Sequence, residues 1–165
     1  MEMADWFAEV SGRLEQTSFG EAVRATPHLY PLLESLHILG IAMLVGSALA
    51  VDLRLLGIGR GVLPVTTVAR YLLPLSHIGF AVVAVTGAAM FTAIAQAVVA
   101  SAAAPWKFGL VALAGLNIAV FHAGVYRSVR AWDLDVRTPV RAQAAALVSA
   151  LSWMAAIVAG RFLAY

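Results

Sequence analysis

The sequence predicts an all-α protein, an integral-membrane four-helix bundle with a short amphipathic N-terminal helix. Of its 165 residues, 62% are hydrophobic and 12% are charged, whereas a soluble domain carries about 25% charged residues. The surplus apolar surface is expected to face lipid in one membrane domain. The formal charge is only +2 and no polybasic arm is present, so nucleic acid is not expected as a partner. Cysteine is absent, which excludes disulfides and thiolate metal ligands.

Four long apolar stretches predict the spanning helices, because a helix needs about 20 apolar residues to cross a bilayer. The predicted spans cover residues 31–56, 71–97, 107–126 and 143–165. Before them, apolar and charged residues recur at helical spacing, which is typical of a helix that lies on the membrane surface. The chain therefore divides into an interfacial segment, 1–30, and a four-helix transmembrane domain, 31–165.

The placement of the arginines predicts the orientation of the spans. Most arginines lie at the membrane side opposite to the two termini: Arg54, Arg60, Arg70, Arg127, Arg130, Arg137 and Arg141. Loops that face the cytoplasm are enriched in Lys and Arg. We therefore expect this side to be cytoplasmic and both termini to be external, which in a bacterium means periplasmic.

Two histidines in neighbouring spans form the first candidate site. His77 follows the start of the second span and His122 precedes the end of the third, so both are expected at similar depth on the cytoplasmic side. Facing histidines on adjacent helices are what the iron of a b-type haem needs as axial ligands. Arg70 and Arg127 are candidates for binding the haem propionates. Small residues expected to leave room for the macrocycle are Ala81, Ala84, Gly115 and Ala119.

The same two histidines also fit a purely structural role. Polar side chains such as Ser76 and Asn117 commonly form hydrogen bonds between membrane helices, and His77 and His122 could do the same. Ionisable groups inside a membrane are, however, expensive and often functional. Both interpretations remain open at the level of the sequence.

Glu34 and His37 form a second candidate site, near the external end of the first span. Their i, i+3 spacing places both on one helix face, as in the metal sites of helical bundles. A metal ion here would need His28, a partner subunit or water to complete its shell. The alternatives are a Glu–His hydrogen bond that positions the helix, or a quinone or proton site.

Asp52 and Arg54, at the other end of the first span, are interpreted as structural. Asp52 is expected to pair with an arginine of a cytoplasmic loop, such as Arg70 or Arg127. Arg54 is expected to extend toward the lipid headgroups, as long basic side chains do at helix ends.

The chain contains the segments ESLHILG, VGSALAVDLRLLG, LPLSHIGFAVVAVTGAAMF and PWKFGLVALAGLNIAVFH. Together they resemble a family of uncharacterised four-span bacterial inner-membrane proteins, over about residues 20–125. The resemblance implies this topology and a bacterial inner membrane, but no activity. A looser similarity links the chain to copper-resistance D-like membrane domains and to four-helix b-type cytochromes. The latter commonly hold two haems with four histidines, whereas His28 here precedes the first span.

The residues predict a membrane-embedded electron-transfer protein with one b-type haem between His77 and His122. Its expected partners are the lipid bilayer, a quinone or a redox protein, and a second copy in a homo-oligomer. One alternative is a non-enzymatic membrane subunit or assembly factor whose histidines are structural. Another is a metal-ion handling protein that uses Glu34 and His37.

Overall fold

The structure is a computed structural model, and it describes residues 3–163. Its α-helices are, in chain order, α1 (Met3–Glu15), α2 (Ser18–Ala25), α3 (Leu29–Leu55), α4 (Val65–Ala100), α5 (Ala104–Ala123) and α6 (Val140–Phe162). A 3₁₀ helix, Val125–Ala131, follows α5. Between residues 3 and 163 there is no strand, so the predicted all-α fold is confirmed. Residues 1–2 of the predicted interfacial segment and residues 164–165 of the predicted fourth span lie outside this range.

The four predicted spans are confirmed, since α3, α4, α5 and α6 are long and apolar enough to cross a membrane. The start of α4 differs most from the prediction, because the helix begins at Val65 and not at Tyr71. Asp133, from the connection before α6, acts as a cap for this helix. Its carboxylate accepts hydrogen bonds from the Thr66 backbone N–H (2.7 Å) and the Thr66 hydroxyl (2.6 Å). A negative charge at a helix N-terminus is favourable, so α4 starts six residues earlier than its apolar pattern suggests.

The spanning helices form two antiparallel hairpins, α3–α4 and α5–α6. The hairpins are joined mainly by contact between α3 and α6, while α4 and α5 hardly touch anywhere in the part of the chain that the structure describes. The order across the bundle is therefore α4, α3, α6, α5. A gap remains between the two outer helices.

Two glycines allow α3 and α4 to cross closely near the middle of both helices. A Cβ atom added at Gly79 would lie 2.5 Å from the Leu44 backbone nitrogen and 2.8 Å from the Gly40 carbonyl oxygen. Real Cβ atoms do not approach backbone this closely, so only glycine fits at this position. The crossing fixes the level of α4 relative to α3: Gly79 is opposite Gly40 and Leu44, and the Ser76 hydroxyl donates to the Leu44 carbonyl (3.2 Å).

The sequence predicted that Arg54 extends to the headgroup level, but the structure shows its side chain inside the protein. Only 2% of its surface is exposed, and its guanidinium donates to the carbonyls of Leu63 and Asp133. The side chain thus joins the two connections on the predicted cytoplasmic side. A further backbone bond, from Asp135 N–H to the Arg60 carbonyl (3.0 Å), ties these connections together. The prediction was wrong because a lone position at a helix end does not reveal that two loops fold over it.

The N-terminal helices α1 and α2 pack on the far end of α4. There α4 is kinked at Ile94, whose φ of −136° and ψ of 31° are not helical. Side chains from α1 and α2 bind backbone groups at the kink: Arg24 donates to the Ala93 carbonyl (3.1 Å) and Glu15 accepts from the Gln96 N–H (2.7 Å). The assignment of residues 1–30 to the membrane surface stays a prediction, to which the structure adds this contact.

Candidate functional site

A cavity of about 290 Å³ lies inside the bundle, and all four spanning helices contribute to its wall. Its floor is formed by α3 and α6, and its two sides by α4 and α5. Because α4 and α5 hardly touch, the cavity is located behind the gap between them. Both His77 and His122 belong to the lining, as do the aromatic side chains of Phe80, Phe121 and Tyr126.

His122 is held in a defined orientation by its own helix. Its Nδ1 lies 2.9 Å from the carbonyl oxygen of Ile118, one turn earlier. A carbonyl oxygen only accepts, so Nδ1 carries the proton and Nε2 keeps a lone pair. Histidines that bind metals characteristically donate their other ring N–H to such an acceptor. Tyr126 packs against the ring, with the ring centres 5.0 Å apart.

Tyr126 itself lies beyond the end of α5, in the 3₁₀ helix. Burial, and secondarily the nearby Asp133 carboxylate, raise the pKa of the Tyr126 phenol above its ordinary value. The phenol is therefore protonated at neutral pH. It can donate a hydrogen bond at the end of the cavity nearest to the connecting loops.

His77 differs from His122, since its ring forms no hydrogen bond with any residue between positions 3 and 163. An imidazole that faces an apolar, membrane-embedded space without a partner is unfavourable. Both nitrogens of His77 are therefore available to a ligand in the cavity.

The two histidines do not lie at the same depth. Ala114 packs with Leu44, at the level of His77, whereas Phe121, beside His122, packs with Val51. The offset is about seven residues of helix, or ~10 Å along the bundle axis. The prediction of similar depth was wrong because α4 starts early, which places His77 twelve residues into the helix, or ~18 Å from its beginning.

The antiparallel course of α4 and α5 partly offsets this difference. In every α-helix the Cα–Cβ bonds tilt toward the N-terminus. His77 therefore leans toward the loop side of the bundle, and His122 leans toward the centre, as its bond to Ile118 shows. The two side chains incline toward each other across the cavity.

Several residues expected beside the histidines lie elsewhere. Gly115 lines the cavity, but Ala81, Ala84 and Ala119 do not, and all three are exposed on the outer surface of the bundle. Arg70 and Arg127 are exposed and do not belong to the lining. Their assignment to propionates stays a prediction.

Asp52 is buried in the cavity floor and has no arginine partner among residues 3–163. Only 6% of its surface is exposed, the Ser149 hydroxyl lies beside its carboxyl, and its Oδ2 has no hydrogen-bond partner. The predicted pairing with Arg70 or Arg127 was therefore wrong. Trp153 is likewise buried with an unpartnered polar atom, since it is 5% exposed and its indole Nε1 has no hydrogen-bond partner.

Glu34 and His37 occupy a different part of the bundle and do not line the cavity. The Thr86 hydroxyl lies 2.9 Å from His37 Nδ1 and 2.6 Å from the Val82 carbonyl. Its single proton serves the carbonyl, so His37 Nδ1 is the donor in the other bond. This bond fits a histidine that joins α3 to α4.

That Glu34 and His37 bind a metal ion stays a prediction. Glu34 is exposed, and the Lys107 ammonium acts electrostatically on His37, which disfavours a second cation nearby. Nowhere within residues 3–163 do three or more His, Asp or Glu side chains form a group that could hold a metal ion.

Comparison with protein families gives a match over residues 15–165, to a family of unknown function. The chain belongs to the family DUF6644. The match includes α2 to α6 and thus every residue of the cavity wall, which confirms the predicted relation to an uncharacterised four-span membrane family. No curated protein and no solved structure matches the chain.

In this DUF6644 chain, sequence reasoning missed Ser149 and Trp153 and assigned Asp52 to the wrong role. A signal for Asp52 existed, because an acid within an apolar span is costly unless it faces the bundle interior or a cavity, and Asp52 lies three residues before the end of α3. The sequence contained no such signal for Trp153, since a tryptophan in an apolar helix is common and its unpaired N–H is visible only in the structure.

Proposed function

We propose that this membrane protein binds one b-type haem in the cavity, that His77 and His122 are the residues that would hold its iron, and that the protein transfers electrons. The observation that carries the proposal is that both histidines line one cavity and that each has a ring nitrogen with no protein partner. Haem iron in b-type electron-transfer proteins is held by histidine nitrogens, and bundle cores are usual places for such cofactors.

The orientation of His122 supports a ligand role over a purely structural one. A histidine that only joined two helices would donate to a neighbouring helix, as His37 does to Thr86. His122 instead donates within its own helix, to Ile118, and keeps its Nε2 for the cavity. The apolar and aromatic lining suits a macrocycle, and bound haem would supply one-electron chemistry.

The proposed setting is a bacterial inner membrane, with both termini periplasmic and the arginine-rich connections cytoplasmic. A haem close to the middle of the bundle could exchange electrons with a quinone in the bilayer or with a redox protein at either surface. Arg70 and Arg127, at the end of the bundle nearer to His122, are the residues proposed to bind the haem propionates.

The test is the visible absorption spectrum of the protein purified after expression with ample haem. Wild type should show a Soret band and the α and β bands of low-spin haem after reduction. His77→Ala and His122→Ala should each lose the low-spin spectrum, because one remaining ligand leaves the iron five-coordinate or the site empty.

His37→Ala is the matched control, since His37 lies outside the cavity and the variant should keep the wild-type spectrum. Absence of a Soret band in wild type would contradict the proposal. In that case the histidines are structural, and the reading as a non-enzymatic subunit or assembly factor takes its place. Equal loss in all three variants would point to general unfolding and would likewise count against specific ligation.

A further inference from the structure

The floor of the cavity has two unsatisfied polar groups that the haem proposal does not use. Asp52 Oδ2 and Trp153 Nε1 are both buried without a hydrogen-bond partner, and both residues line the cavity. Such groups are costly in an apolar interior. Native structures rarely tolerate them without a reason, so a ligand that pairs with both would remove an existing penalty.

The chemistry of the two groups restricts that ligand. An indole N–H only donates, whereas a carboxyl group accepts and, when protonated, also donates. A cation would pair with Asp52 and leave the indole unsatisfied. The ligand therefore presents an oxygen acceptor to Trp153 and a hydroxyl or carbonyl to Asp52.

The spacing of the two groups restricts the ligand further. Ser149, which lies beside the Asp52 carboxyl, is one turn from Trp153 on α6, or ~6 Å along the helix. One ring-sized ligand can therefore reach both groups. The gap between α4 and α5 gives an apolar substituent a route to the lipid.

We infer that Asp52 and Trp153 form the binding site for the head of a membrane-soluble quinol or quinone. The Trp153 indole donates to one ring oxygen and the Asp52 carboxyl forms a hydrogen bond with the other. The isoprenoid tail leaves between α4 and α5. Phe121, on the adjoining wall of the cavity, offers an aromatic surface to the ring.

The residues of this site and the proposed haem ligands belong to different helices. The histidines belong to α4 and α5, on either side of the gap, whereas Asp52 and Trp153 belong to α3 and α6. A haem between the histidines would be next to the bound head, and this link to electron transfer rests on the proposed function. The binding of the quinol itself does not.

The experiment measures binding of a short-chain benzoquinol with a decyl tail, by calorimetry with the purified protein in detergent. Wild type should give saturable heat beyond that of empty micelles. Asp52→Leu and Trp153→Phe should each weaken binding about tenfold or more, the effect of losing one buried hydrogen bond. Asp52→Leu should melt close to wild type, because removal of the unpartnered Oδ2 offsets the loss of the contact between the carboxyl and Ser149.

The controls are a second tryptophan and a second aspartate. Trp132 is equally buried, but its indole already donates to Ser128 (3.2 Å), and Asp135 is exposed in a loop. Trp132→Phe and Asp135→Asn should therefore bind the benzoquinol like wild type.

Two results would overturn the inference: no saturable binding to wild type, or unchanged affinity in both Asp52→Leu and Trp153→Phe. Water would then be the partner of the two groups. The absorption spectrum separates this outcome from failure of the haem proposal. Protein without a Soret band that binds the benzoquinol through Asp52 and Trp153 would refute the haem and retain the quinol site.

Discussion

At the scale of single residues, hydrogen bonds decide what each histidine can do. His37 is engaged with Thr86 on the next helix, and His122 with Ile118 on its own, while His77 has no partner within the described chain. Spacing along the sequence could show that all three lie in membrane spans. It could not show these bonds, because each depends on which residue of a neighbouring turn or helix faces the ring.

Gly115 offers a direct test of whether the cavity is used. It lines the cavity, and a Cβ built on it meets nothing within 4 Å. Gly115→Leu should therefore fold, yet fill part of the space and prevent incorporation of a macrocycle. The measurement is the ratio of haem to protein in the purified variant.

Gly109 provides the control for this variant. It is on the same helix, is equally open and does not line the cavity, so Gly109→Leu should keep the wild-type haem content. If Gly115→Leu also kept it, the cavity would not be the haem site.

The buried carboxyl of Asp52 marks the limit of prediction from this sequence. The pattern of apolar residues predicted the four spans, and the two histidines and the acid at position 52 were visible within them. The role of Asp52 was missed because salt bridging to Arg70 or Arg127 requires those side chains to turn inward, and both are exposed. Arg54, two residues away, has the buried contacts with the connecting loops.

At the scale of helices, α4 is shaped by contacts made at three places along its length. Asp133 caps its start, Gly79 allows the crossing with α3, and Arg24 and Glu15 bind its kink. Apolar patterning predicts the middle of such a helix well. It fails at both ends, where residues distant in sequence supply the caps.

The crossing at Gly79 predicts opposite effects for two similar substitutions in α3 and α4. Alanine normally stabilises a helix relative to glycine, by about 0.5–1 kcal/mol. Gly46→Ala should do so, because nothing lies within 4 Å of its added Cβ. Gly79→Ala should destabilise by about 1–3 kcal/mol, as overpacking does. Thermal unfolding in one detergent measures both, and a stabilised Gly79→Ala would show that the helices are farther apart.

Arg24, on α2, should help to hold the kink in α4, whereas Arg13, on α1, should not. Arg24→Ala removes the donor to the Ala93 carbonyl and another bond to the Glu15 carbonyl (2.6 Å). It should lower stability by about 1 kcal/mol and speed hydrogen exchange of amides near Gln96.

Arg13→Ala is the control, since it removes only an exposed i, i+4 pair with Glu9. Such pairs contribute about 0.5 kcal/mol or less. Similar exchange rates near Gln96 in both variants would mean that α2 does not hold the kink.

At the scale of the whole molecule, the arginine-rich connections are the strongest guide to orientation. The structure shows that both connections lie at one end of the bundle and bind each other through Asp135 and Arg60. A phosphatase fused after Tyr165 should be active, because this enzyme folds only outside the cytoplasm, and a fusion after Gly61 should be inactive. The reverse pattern would invert the predicted topology.

The weak contact between α4 and α5 determines when during synthesis the site can first exist. The ribosome delivers α3 and α4 first, and this hairpin has its own close crossing at Gly79. The floor of the cavity needs α6, which is the last of the four spans to be made and brings Trp153 and the serine beside Asp52. A nascent chain that has inserted three spans therefore holds both histidines but no enclosed cavity. Any ligand must be loaded after α6 has been made, and chains truncated before Val140 should never acquire one.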